Sequence, residues 1–75
     1  MKNLYKAELQ TENFEFVAYA TTKENAHSDL VNGLLAHSRQ YGLDPTWWES
    51  YSESIYLTQI RVGCTYRDNE AITKS

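Results

Sequence analysis

Residues 14–42, FEFVAYATTKENAHSDLVNGLLAHSRQYG, change hydrophobic period part-way along. Up to Ala20 the side chains alternate. Phe14, Phe16, Ala18 and Ala20 fall on one side, with Glu15, Val17 and Tyr19 opposite, which is the period of a half-buried strand. Beyond the two threonines the period lengthens: Ala26, Leu30, Leu34, His37 and Tyr41 recur at helical spacing, flanked by Val31 and Leu35. Such spacing builds one apolar stripe along a helix. Thr21 and Glu24 have the spacing of a capping box, in which hydroxyl and carboxylate each satisfy an orphaned N–H. Gly42 stands where a left-handed residue ends a helix. Gly33, inside the helix, costs up to about 1 kcal/mol relative to alanine; its presence predicts a close approach of helix to sheet.

Working upstream, Tyr5, Ala7 and Leu9 alternate with Lys6, Glu8 and Gln10, and residues 11–13, TEN, make a polar connection. Two alternating runs so joined predict a β-hairpin. Downstream, Asp44 as N-cap and Pro45 at the first helical position predict a short helix in the 44–52 loop. SIYLTQIRV, residues 54–62, is rich in β-branched and aromatic residues and predicts a third strand. Tyr56, Thr58, Ile60 and Val62 share one of its faces, Ile55 and Leu57 the other. Gly63 marks a bulge or turn, after which residues 64–67, CTYR, would extend as a short fourth strand.

The expected fold is therefore α+β, in the order ββαβ. A three-stranded antiparallel sheet, four-stranded if residues 64–67 join it, carries one main helix on one face. Pairing of the third strand with the first gives a split β-α-β arrangement. The uncovered side then displays Lys6, Glu8, Glu15, Val17 and Tyr19. Residues 1–67 read as a single compact domain and residues 68–75 as a flexible tail.

A chain of 75 residues has one small core and buries only about 60% of its unfolded surface, so a deep enclosed cleft is not expected. Seven basic residues against ten acidic ones give a net charge of −3, and the basic residues are scattered. Phosphate neutralisation needs a basic face, so direct nucleic-acid binding is not expected. Cys64 is the one cysteine, so no internal disulfide forms. No apolar run reaches the length of a membrane span. These features read as cytoplasmic, with no membrane partner.

Reactive constellations are sparse. His27 and His37 lie ten apart with Cys64 far downstream, which is no zinc spacing. Cys64 with His37 lacks a glycine-rich oxyanion turn and an orienting acid. Glu49 and Glu53 would share a helical face but sit among serines and read as solvated. The three glycines are dispersed, so no phosphate cradle forms. No catalytic residue, metal or cofactor is expected.

What remains is surface. On a short helix Trp47, Trp48 and Tyr51 are neighbours, and one tryptophan would close the open end of the core. Adjacent helical residues point about 100° apart, so the other should be partly exposed. Exposed tryptophan and tyrosine beside carboxylates is the composition of a protein-interface hot spot. A second candidate is the acidic strip Glu8, Glu12 and Glu15 around the hairpin, with Tyr19 on the same outer side. Charge on exposed strands is also the usual guard against edge pairing.

Two stretches, FEFVAYATTKENAHSDLVNGLLAHSRQYGLD and SIYLTQIRVGCTYRDNE, resemble small accessory proteins of bacteriophages and mobile elements, anti-CRISPR proteins among them. That resemblance implies a non-enzymatic inhibitor or adaptor that sterically blocks a host protein or nucleoprotein complex through aromatic and acidic surface. The alternative is a small-ligand binding or sensing domain, with a homodimer compatible with either. A third reading, a nucleic-acid module stacking bases on Tyr19, is opposed by the net charge.

Overall fold

The computed structural model describes residues 3–68 and 70–73. Strand β1 (Asn3–Gln10) turns through Thr11–Phe14 into β2 (Glu15–Ala20). Thr11 closes this turn: its backbone N–H donates to the Phe14 carbonyl at 2.8 Å, and its hydroxyl oxygen accepts the Phe14 N–H at 3.2 Å. The register pairs Leu9 with Phe16, Ala7 with Ala18 and Tyr5 with Ala20. Val17 and Tyr19 therefore lie on one face, while Tyr5, Ala7, Leu9, Phe16, Ala18 and Ala20 share the other.

Helix α1 (Lys23–Tyr41) lies on that face. Its N-cap is Thr22, whose hydroxyl accepts the Asn25 N–H at 3.1 Å. The cap thus falls one residue later than the Thr21–Glu24 box predicts, and the carboxylate arm of that box is not used. Gly42 ends the helix in the left-handed region at φ 64°, donating to the Ser38 carbonyl.

Strand β3 (Tyr56–Arg61) pairs antiparallel with β1, opposite β2, so the order is β2-β1-β3. This is the α+β split β-α-β arrangement expected from the sequence. Lys6 faces Thr58 and Tyr19, and Glu8 faces Tyr56 and Val17. Tyr56, Thr58 and Ile60 therefore join the uncovered side of the sheet. Residues Tyr66–Arg67 (β4) do not add a fourth strand. They pair instead with Glu70–Ala71 (β5) in a separate two-stranded ladder, with Gly63 at φ 94° in the turn that leaves β3.

The buried core is small: Ala7 and Leu9 from β1 against Ala26, Leu30 and Leu34 from α1. Ser38, also buried, satisfies its hydroxyl on the Leu35 carbonyl at 2.7 Å, as a buried polar group must. Helix α1 sits over β2 and β1 and barely reaches β3, which leaves Leu57 40% exposed. Gly33 is also exposed, and a Cβ there would meet nothing within 4 Å. The close approach expected at Gly33 is thus absent, because the residue lies on the helix face turned from the sheet.

The connection back to β3 is a 3-10 helix (Trp47–Ser54), where a short helix starting near Asp44 was expected. Asp44 instead closes a tight turn ahead of the helix, whose N-cap residue is Thr46. The Asp44 Oδ1 accepts both the backbone N–H of Thr46 at 2.8 Å and the Thr46 hydroxyl at 2.7 Å. The Trp47 N–H then donates to the Asp44 carbonyl at 3.0 Å. With three residues per turn, adjacent side chains diverge by about 120°. Even so, Trp47 and Trp48 both stay half-buried and both pack against the core. The partial exposure expected of one ring is thus shared by both, and both help to close the core.

Candidate docking surface

Six rings from three elements meet at the end of the sheet where the hairpin turns. His37 is their hub: its ring lies 4.8 Å from Phe14 and 5.0 Å from Phe16, both edge-on. Tyr41 is 4.6 Å away and Trp47 5.3 Å. Tyr51 extends the chain of rings, edge-on to Trp47 at 6.0 Å. Such offset and edge-on pairs contribute about 0.5–1.5 kcal/mol beyond area burial.

Each ring arrives for a local reason. Alternation brings Phe14 and Phe16 to the helix side of the hairpin. Helical spacing of four brings His37 and Tyr41 to one side of α1. The Asp44–Thr46 turn delivers Trp47, whose indole N–H donates to the Leu34 carbonyl at 3.4 Å. The hydrogen bonds from Thr46 hold the Asp44 carboxyl below its ordinary value, so this turn keeps a negative charge beside the rings.

The inner rings, Phe16, His37 and Trp47, are half-buried. The outer ones form a rim: Phe14 is 43% exposed, Tyr41 59% and Tyr51 37%, with Leu43 alongside. Glu12, Asp44, Glu49 and Glu53 are exposed in the same segments of chain. Along the chain the apolar patch is thus flanked by acidic residues.

The residues singled out from the sequence divide between two surfaces. Trp47 and Tyr51 belong to the ring cluster, Trp48 packs against the core beside it, and Glu12 lies in the turn next to Phe14. Glu8, Glu15 and Tyr19 lie on the uncovered side of the sheet. There Glu8 forms an ion pair with Lys6 at 3.7 Å. Sequence reasoning did not single out Phe14 and Tyr41 as surface residues, nor His37 as the ring that joins them. Each carried a visible apolar period, but only the topology shows that the two stripes end together. His37 and Cys64 do not meet: His37 is enclosed by rings, whereas Cys64 lines an open depression of about 480 Å³ with Gln59, Arg61 and Tyr66. Among the described residues no group of three or more His, Cys, Asp or Glu side chains could hold a metal, and no helix is long and apolar enough to cross a membrane.

Residues 11–59 match the family model for the fifth domain of AddB, an ATP-dependent helicase/deoxyribonuclease. The chain belongs to that family. The match runs from the hairpin turn through α1 and the 3-10 helix into β3, and it contains all six rings. No curated protein and no solved structure matches the chain.

Membership in the AddB fifth-domain family corrects the resemblance to phage and mobile-element accessory proteins. The anti-CRISPR-type inhibitor or adaptor is overturned with it, and the small-ligand sensing alternative finds no support. The stretches that carried the resemblance encode a strand, a capped helix and a closing strand. Those are local signals that unrelated folds share.

Proposed function

We propose that this chain is a non-catalytic docking module that works with an ATP-dependent helicase/deoxyribonuclease, engaging it through the rim of the aromatic cluster. One observation supports this most: every ring of the cluster lies within the residues matched to the AddB fifth domain. Exposed aromatic side chains flanked by carboxylates have the make-up of interface anchors. The flanking acidic residues favour a basic protein surface over DNA phosphates, since like charges repel. A single cysteine and an ATP-dependent partner both fit a cytoplasmic site of action.

The test is direct. The purified chain is titrated into the AddB-containing enzyme from the cells that carry it, with binding followed by calorimetry and DNA unwinding and degradation followed in parallel. The expected result is saturable binding to the enzyme, with neither ATP hydrolysis nor DNA cleavage by the chain alone. Absence of binding, or nuclease activity in the isolated chain, would refute the proposal.

A further inference from the structure

Where one side of an antiparallel sheet faces water, the residues on that side are ordinarily polar. Here Leu4, Val17, Tyr19, Tyr56 and Ile60 all fall on the uncovered side. The register arranges its centre in two rows. Tyr19, Lys6 and Thr58 lie side by side across β2, β1 and β3, and Val17, Glu8 and Tyr56 form the next row. The two tyrosines stand at opposite corners of this block, 57% and 61% exposed. In its middle column Lys6 and Glu8 are half-buried and hold their ion pair at 3.7 Å. Both tryptophans pack on the other side of the sheet with α1. Cys64, Tyr66 and Ile72 share a depression with Gln59 and Arg61, whose side chains alternate to that other side too. The block therefore stands clear of the C-terminal ladder.

We propose that two copies of this chain stack through this face, related by a two-fold axis that runs across the strands between the two rows. Charge and shape together select a second copy as the occupant. This axis lays β1 over β1 with its direction reversed, so the Tyr19–Lys6–Thr58 row of each copy meets the Val17–Glu8–Tyr56 row of the other. Lys6 of each copy then faces Glu8 of the other, and the two internal ion pairs join into one alternating cluster. On the flanks Tyr19 stands over Val17 and Tyr56 over Thr58, so each tall ring meets a short side chain. A two-fold axis along the strands would instead set Lys6 over Lys6 and Glu8 over Glu8, and like charges so placed are costly. An isologous interface requires self-complementarity of this kind. The overlay also keeps the strand axes of the two sheets aligned, as stacked sheets prefer. The contact spans one three-stranded face, so the association is weak. It uses none of the rings of the aromatic rim nor the acidic residues that flank them, and it does not depend on the helicase/deoxyribonuclease reading.

Light scattering across a concentration series up to about 1 mM reads the association. The expected result is a concentration-dependent dimer. Lys6→Glu and Glu8→Lys each set like charges over one another and weaken it by about tenfold or more; the combined K6E/E8K chain regains it. Tyr19→Ala weakens it by about tenfold, whereas Tyr41→Ala on the aromatic rim leaves it unchanged. Circular dichroism checks that each variant folds; should a charge reversal not fold, Tyr19→Ala and Tyr56→Ala still decide. A monomer throughout the series overturns the proposal, including one whose Tyr19 and Tyr56 bind a single-stranded oligonucleotide instead. So does a dimer indifferent to both charge reversals, or one broken by Tyr41→Ala.

Discussion

The indole N–H of Trp47 donates to the backbone carbonyl of Leu34 at 3.4 Å, thirteen residues back along the chain. A fully buried residue of α1 is thereby tied to the first residue of the 3-10 helix. The same indole ring covers His37 and Phe16. One side chain thus anchors the long connection to β3 and forms the floor of the aromatic cluster.

Replacing that indole separates its two contributions. Trp47→Phe keeps a ring but removes the donor, leaving the Leu34 carbonyl without this hydrogen bond at a cost of about 1 kcal/mol. Trp47→Ala removes the ring contacts as well, for a loss of about 3 kcal/mol. Urea unfolding followed by circular dichroism measures both. Equal stability of Trp47→Phe and the parent chain would show that the bond contributes nothing.

Gly33 offers the opposite change. It lies mid-helix with free space around its Cβ position, and no left-handed backbone is needed there. Gly33→Ala therefore stabilises the fold by about 0.5–1 kcal/mol through backbone entropy. A rise in the thermal midpoint checks this. The contrasting case is Gly42, whose φ of 64° makes alanine strained, so Gly42→Ala lowers the midpoint.

These two glycines show what the sequence makes legible. Local signals carry over to structure where one residue satisfies one backbone need, as at Gly42 and in the alternation of β1 and β2. The order ββαβ and the face covered by α1 follow from period alone. Gly33 was misread because spacing does not say which side of a helix turns inward when the apolar stripe is narrow. The ring cluster was missed for a different reason. Phe14 and His37 are 23 positions apart, and their 4.8 Å contact exists only once β2 and α1 pack. The ladder of Tyr66–Arg67 with Glu70–Ala71 was not legible, since two-residue strands leave almost no periodic signature.

The Asp44 turn responds to acid in a defined direction. Hydrogen bonds from Thr46 lower its folded pKa below the ordinary value of 3.8. A depressed carboxylate stabilises the fold above its unfolded pKa, and that contribution fades as pH falls through the folded one. The turn should therefore loosen only below about pH 4. Asp44→Asn removes this dependence. Trp47 fluorescence, measured in Trp48→Phe so that one indole reports, follows the change. An identical acid profile in Asp44→Asn would exclude Asp44 as its source.

The docking reading makes a prediction that stability alone would not. Tyr41 is 59% exposed and Phe14 43%, so truncating either costs the fold ring contacts of about 0.5–1.5 kcal/mol per pair while leaving the buried core in place. At an interface the same rings become enclosed, and anchors of this kind cost 2 kcal/mol or more on truncation, roughly thirtyfold in affinity. Tyr41→Ala should therefore weaken binding to the helicase/deoxyribonuclease by about that factor, read at a temperature where circular dichroism shows the variant fully folded. Tyr19→Ala provides the comparison, because Tyr19 is equally exposed but lies on the other side of the sheet. Weakening by Tyr19→Ala with no effect of Tyr41→Ala or Phe14→Ala would move the interface off the ring cluster and onto the uncovered sheet face.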